Sequence, residues 1–263
     1  MRQSNVKRPL RRLAALLLIL LLAASFLPPR SAQAQGGEKV VRVGWHEAPY
    51  FITDQYGRRS GYSYEYQCKL AAYTGWEYEY VEGSWTELLQ KLKDGEIDLL
   101  SDVSFMEERA QDMLYASLPM GTEAYYIFVA PDNTDITAED FTSLNGKRVG
   151  VAKNSFQEQA FLQWTQLHGV EVELAETTGP EDESLPLLGT QYDAFVTMDV
   201  YGDPETAVPV FKIGSSDFYF AVSKARPDLL IELDAAMNRI QDENKYYNQQ
   251  LHEKYLRNAN NDR

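Results

Sequence analysis

Short β-branched apolar runs and longer stretches with apolar residues at helical spacing take turns along this chain. Val40 to Val43, ending at Gly44, predicts a first strand. An aromatic loop follows, Trp45-His46-Glu47-Ala48-Pro49-Tyr50-Phe51, then a polar turn over Asp54 to Gly61. Tyr62, Tyr66, Leu70 and Tyr73 fall on one helical stripe, which Gly75 stops. Trp76 to Val81 alternates as a strand. Ser84-Trp85-Thr86-Glu87 has the form of a capping box and opens a helix with Trp85, Leu88, Leu89 and Leu92 on one face, closed by Gly95. Ile97 to Leu100 predicts the next strand, and Ser104-Phe105-Met106-Glu107 a second capping box opening a helix through Leu114.

The alternation then restarts. Tyr125 to Ala130 predicts a strand, and Pro131 to Leu144 is connective. Arg148 to Val151 predicts a strand, and Ser155-Phe156-Gln157-Glu158 a third capping box leading a helix toward His168. Val170 to Leu174 reads as a strand, Pro180 to Gly189 as a short helix interrupted at Pro186, and Tyr192 to Thr197, Val208 to Lys212 and Phe218 to Val222 as three more strands. Leu229, Leu230, Leu233, Met237 and Ile240 give an amphipathic closing helix, and Tyr246 to Leu256 a last one. Strands alternating with helices argue an α/β fold with a parallel or mixed sheet. Two such sets of similar size occupy the chain, and their order alone leaves open whether the tail returns to the first set.

The amino terminus departs from this pattern. Arg2, Lys7, Arg8, Arg11 and Arg12 precede an apolar run from Leu13 to Leu27, and Ala32-Gln33-Ala34 follows. That order is the pattern of a secretory signal peptide over residues 1–34, with an uncleaved signal anchor as the alternative. An exported protein, periplasmic or on the extracellular face of the membrane, is expected, and no cysteine near Ala34 offers a lipid attachment point. Cleavage there takes the 25 basic residues down to 19 against 39 acidic ones, a net charge of −20. Such a surface repels nucleic acid. Cys68 is the single cysteine and sits among core-like residues, so a buried inert thiol is expected and an internal disulfide is excluded. The three histidines show no metal-ligand spacing, and Walker, GxSxG and HExxH patterns are absent. No catalytic residue, metal or cofactor is expected.

In open α/β sheets, ligands bind beyond the carboxyl ends of the strands. Three loop-to-helix junctions qualify: the loop after Val43, Ser101 to Arg109, and Asn154 to Phe156. Arg109 lies early in its predicted helix, where the macrodipole disfavours a cation. Either it holds an anion, to which its planar fork is suited, or it pairs at the surface with Glu108 or Asp112. Ser104 and Ser155 would serve as N-caps, as carboxylate-binding hydroxyls, or as both. Asp199, just past a strand end, would meet an ammonium or simply stabilise a turn. Trp45, Tyr50, Phe51, Trp85 and Phe156 would stack on a ligand or pack in the core. Asp102 and Glu47 add negative groups near the same junctions.

The run Gly95-Glu96-Ile97-Asp98-Leu99-Leu100, then Ser104, Glu108-Arg109 and Pro119, resembles family-3 extracellular solute-binding proteins, the amino-acid receptors of ABC importers. Val43-Gly44, Ala48-Pro49-Tyr50-Phe51, Gly61-Tyr62 and Leu144 to Val151 extend the resemblance over nearly the whole mature chain. It implies a two-lobed periplasmic-binding-protein fold of type II, with a ligand cleft and two hinge crossings. Lobe one would take residues 38–128 plus 219–263, and lobe two residues 129–218. It also implies Arg109 and Ser104 as carboxylate ligands, Asp199 as the ammonium ligand, Ser155 as the second-lobe hydroxyl, and aromatic walls at Trp45 to Tyr50 and Trp85. The chain departs from the family pattern at Met106, where a hydroxyl residue is usual, at Asp102, where a small one is, and at Phe156, in a second hydroxyl position. The segments Gly61 to Tyr66 and Phe218 to Val222 are similar to sensor modules ahead of membrane-bound histidine kinases or diguanylate cyclases.

The expectation is therefore a monomer that closes on a small polar ligand, an amino acid, for an ABC permease or a membrane sensor. Two rivals remain at this stage. One is an enzyme similar to periplasmic cyclohexadienyl dehydratases, with Glu47 or Asp102 as general acid. The other is an extracellular interaction module with no small-molecule ligand.

Overall fold

The computed structural model describes residues 39–46, 48–179 and 181–256. The predicted signal segment and Glu47 lie outside the described residues. Strand β1 (Lys39–Trp45) leads through a small hairpin, β2 (Ile52–Thr53) and β3 (Arg59–Ser60), to helix α1 (Tyr62–Thr74). Then come β4 (Trp76–Glu82), α2 (Trp85–Asp94), β5 (Leu99–Ser104), the one-turn α3 (Glu107–Ala110) and β6 (Met113–Tyr115). A long strand β7 (Gly121–Val129) opens the second set: β8 (Arg148–Ala152), α4 (Phe156–His168), β9 (Glu173–Thr177), the short α5 (Glu181–Ser184) and β10 (Ala194–Met198). Strand β11 (Val208–Ser223) and helices α6 (Pro227–Glu243) and α7 (Tyr247–Tyr255) complete the described chain.

The main sheet runs β4-β1-β5-β11-β7-β10-β8-β9, with β6 also paired to β11. At one end β4, β1 and β5 are parallel, and at the other β10, β8 and β9 are parallel. Between them the antiparallel pair β7 and β11 joins the two halves. Each half has its own core. Val43, Tyr66, Leu99, Phe220 and Leu233 belong to one, and Ile127, Val149, Phe161, Val196 and Phe211 to the other. The tail helices pack on the first half, since Leu229, Leu233, Ile240 and Leu251 share the core of β1. That answers the question left open by element order.

Local chemistry explains most boundaries. The Ser84 capping box is complete: Ser84 accepts from the Glu87 N–H, and the Glu87 carboxylate accepts the Ser84 N–H at 2.8 Å. Gly75, Gly95 and Gly169 end helices in the left-handed conformation that glycine adopts without steric cost. The third box is half formed. Ser155 accepts the Glu158 N–H, but the Glu158 carboxylate takes the N–H of Asn154 instead.

Four expectations are corrected. Ser104 caps no helix: it is the last residue of β5, held extended by pairing with Phe218, and α3 starts at Glu107 with no side-chain cap. The helix expected through Leu114 is a single turn, because Met113–Tyr115 pairs with β11 instead. The two strands expected around Gly214 are one, its register shifts absorbed as bulges. Cys68 is exposed, on the outer face of α1.

Candidate functional site

The carboxyl ends of all six parallel strands converge on one cavity of about 330 Å³. His46 and Tyr50 follow β1, Ser84 and Trp85 follow β4, and Asp102, Ser104 and Arg109 lie at or after β5. From the second half come Ala152 to Gln157 after β8, Thr177 to Gly179 after β9, and Met198 and Tyr201 at the end of β10. The three junctions singled out in the sequence thus meet, because the parallel strands of one half run opposite to those of the other and the two sets turn their carboxyl ends toward each other.

Arg109 is buried, with 8% of its surface exposed. Its guanidinium donates to the Ser104 carbonyl at 3.3 Å and to the Asn154 carbonyl at 2.8 Å, so it touches both halves. The surface pairing weighed for it does not occur. Asp112 pairs with Lys93, and no acidic side chain among the described residues forms an ion pair with Arg109. Burial pulls the guanidinium pKa down, and the neighbouring Tyr115, Tyr125 and Glu108 offset this only in part. Beside it, α4 begins at Phe156, and first-turn N–H groups of a helix lack intrahelical acceptors. Ser155 itself is engaged, accepting from Glu158 and donating to the Ala152 carbonyl at 2.6 Å.

The acidic side of the cavity was largely invisible in the sequence. Glu123, on β7, is 5% exposed and lines the cavity. Its Oε2 accepts from the Tyr50 hydroxyl at 2.9 Å, and its Oε1 from Ser104 Oγ at 3.1 Å and from the Tyr125 hydroxyl. Burial raises the Glu123 pKa to about 7, against the opposing pull of those three donors. Asp102 sits where two residues of β5, Ser101 and Asp102, face the single Phe220 of β11, a bulge that leaves Asp102 at φ 60°. The bulge brings its carboxylate within 2.7 Å of the Ser63 hydroxyl, and burial pushes its pKa well above the usual carboxylate range. His46, ring to ring with Phe51 and Trp85, is held neutral by burial, with its pKa lowered to about 4. Its Nε2 is sealed from solvent and has no hydrogen-bond partner among the described residues.

Among the sequence candidates, Arg109, Ser104, Ser155, Phe156, Trp85, Tyr50 and Asp102 line the cavity together. Three described candidates do not, and one of them, Phe51, is packed into the first core. Trp45, 1% exposed, points to the other side of β1, where it packs edge-on against Phe51, Tyr64 and Tyr80 under the Arg59 guanidinium. The alternation of side chains along a strand turns it away. Asp199 opens a 3-10 turn after β10, its carboxylate bonded by the backbone N–H groups of Ala124 and Val200. It is not among the residues lining the cavity, though its charge reaches the cavity residues Glu123 and Tyr50, and it stands in the turn of its alternative reading. Glu123 and Tyr201 are cavity residues that the sequence reading missed, and His46 fell inside its aromatic wall at Trp45 to Tyr50 without being singled out.

Residues 41–258 match the family described as bacterial extracellular solute-binding proteins, family 3. No curated protein matches the chain. Among solved structures, a putative L-cystine ABC transporter protein from Listeria monocytogenes superposes with TM-score 0.71 at 20% identity, over 83% of this chain and 96% of that one. A histidine kinase sensor domain similar to periplasmic binding proteins superposes at 0.69 with 23% identity, over 84% and 97%. An ancestral arginine-binding protein bound to arginine gives 0.68 at 23% identity, over 83% and 99%. These likenesses establish a common two-lobed fold. The two halves of the sheet, each with its own core, are its lobes.

Proposed function

The chain belongs to the bacterial extracellular solute-binding proteins of family 3, and from that premise we propose that it binds an amino acid in the cavity between its lobes and closes on it without altering it. Arg109 carries this reading. A buried guanidinium that spans both lobes and lacks a carboxylate partner among the described residues is a receptor for a ligand carboxylate. The start of α4 adds the positive end of a helix dipole on the opposite wall. Trp85, Phe156 and Tyr201 would cover the ligand's apolar part. The lobes would hinge within β7 and β11, with lobe one near residues 38–128 plus 219–263 and lobe two near 129–218. Ligand binding shifts this equilibrium only as far as the ligand prefers the closed state. An ABC permease or a membrane sensor would read the closed shape, and the protein works as an exported monomer.

The test is isothermal titration of the purified protein with the twenty common amino acids and cystine, repeated with Arg109→Ala. Saturable one-to-one binding that the variant loses is the expected result. Undiminished binding by Arg109→Ala overturns the assignment. A second reading has one observation in its favour. Asp102 is a buried carboxyl whose pKa is raised, the state required of a general acid in a dehydratase. Turnover of prephenate or arogenate that Asp102→Asn abolishes would favour it.

A further inference from the structure

We infer that Glu123, and not Asp199, receives the ammonium group of the bound amino acid, an assignment that rests on the reading of Arg109 as the carboxylate anchor. Three observations carry it. First, Glu123 and Arg109 are held from the two ends of one residue. The Ser104 carbonyl accepts from Arg109, and the Ser104 hydroxyl donates to Glu123. A negative and a positive group one residue apart in a single cavity match the short span of an α-amino acid's charged ends. Second, the Glu123 carboxylate is open to a further donor. Among the described residues its Oε1 carries two hydroxyl donors, its Oε2 carries the Tyr50 hydroxyl alone, and no cationic side chain pairs with either. Asp199, by contrast, is committed to backbone N–H groups and lies off the cavity.

Third, His46, which lines the same cavity, is held neutral by burial and brings no positive charge to compete with an ammonium for Glu123. The electrostatics agree. Burial and the nearby Asp199 charge both disfavour an ionised Glu123, and the arrival of an ammonium is what would relieve that. The groups around Glu123 are Tyr50, Asp102, Ser104, Tyr125 and Asp199. Each is neutral or acidic.

The experiment is isothermal titration with matched probes: the tightest-binding amino acid of the panel, and its des-amino analogue, the same carboxylic acid without the amine. Glu123→Gln is expected to bind the amino acid about tenfold or more weakly than the parent protein, since a charge-assisted hydrogen bond is lost. It should bind the des-amino acid unchanged, and Asp199→Asn should bind the amino acid no more weakly than the parent does. Should Glu123→Gln fold poorly by circular dichroism, Glu123→Asp is the second variant, and it must bind the amino acid less tightly than the parent while leaving the des-amino acid unaffected. Full amino-acid affinity in the Glu123 variants, with loss in Asp199→Asn, overturns this assignment and leaves the amino-acid reading standing. If no amino acid binds the parent, or if Arg109→Ala binds as the parent does, the broader reading fails and this one with it.

Discussion

Replacing Arg109 by methionine separates ligand anchoring from structural bracing. The guanidinium makes two hydrogen bonds, one at 2.8 Å and one at 3.3 Å, both to neutral carbonyls. Bonds to a charged donor contribute about 1.5–3 kcal/mol each, and the longer one belongs at the bottom of that range. Against them stands the desolvation of a buried cation, which is also several kcal/mol. The carbonyls do not depend on Arg109. Ser104 O also accepts the Tyr115 hydroxyl at 3.1 Å, and Asn154 is exposed to water. Methionine keeps most of the apolar stem. The unliganded variant should therefore melt within about 4 °C of the parent, a net change of roughly 1 kcal/mol in a domain of this size. Ligand binding should behave differently. Losing a bidentate charge-assisted contact with the ligand carboxylate removes about 3 kcal/mol, or roughly 150-fold in affinity. Differential scanning calorimetry with and without ligand reads both effects at once: a nearly unchanged apo midpoint and a lost ligand-induced rise. A large fall in the apo midpoint with the ligand-induced rise intact would refute the reasoning, and would make Arg109 a brace between lobes.

Three further outcomes follow from particular residues. The folded-state pKa of Glu123 is raised to about 7 from an ordinary 4.5, so its contribution to stability is fully present below about pH 4.5 and is lost as pH rises through 7. Glu123→Gln cannot ionise, and its stability relative to the parent should grow between pH 5 and pH 8 by up to about 3 kcal/mol, as measured by urea unfolding at the two pH values. Ser84→Ala removes the capping box of α2 and should lower stability by about 1 kcal/mol, read as a midpoint drop of about 2–4 °C. Gly61→Ala should be more damaging, about 2–4 kcal/mol, because Gly61 has φ 104° and an added Cβ would lie 2.6 Å from the Tyr50 carbonyl oxygen. It should also weaken ligand binding, by displacing the Tyr50 hydroxyl from Glu123, and titration calorimetry of the variant checks this.

What the sequence made legible was chiefly local. The Ser84 box and the stops at Gly75, Gly95 and Gly169 are decided within one helical turn, and each was readable. Ser104 carries the same S-x-x-E spelling as Ser84 but sits on a strand, because pairing with Phe218 and the buried Glu123 carboxylate outcompete capping. Only long-range contacts decide that. Glu123 was missed for a related reason. In the run Gly121-Thr122-Glu123-Ala124 it looks like an outward-facing polar position, and nothing nearby signals that Tyr50, 73 residues away, donates to it. Asp199 was chosen from its place after a strand. The strand end was read correctly, but the direction of the side chain is set by the Ala124 and Val200 N–H groups. Trp45 lies at the right height in the fold and on the wrong face, and its ring packs with Tyr64 and Tyr80 from elements the aromatic loop does not adjoin.

The most direct measurement is a crystal structure of the protein grown with the tightest-binding amino acid of the panel. The ligand carboxylate is expected within hydrogen-bond distance of the Arg109 guanidinium, between the two lobes and beside the start of α4. A ligand bound with its carboxylate away from Arg109, or a cavity still empty at saturating concentration, would contradict the assignment of this crevice as an amino-acid receptor.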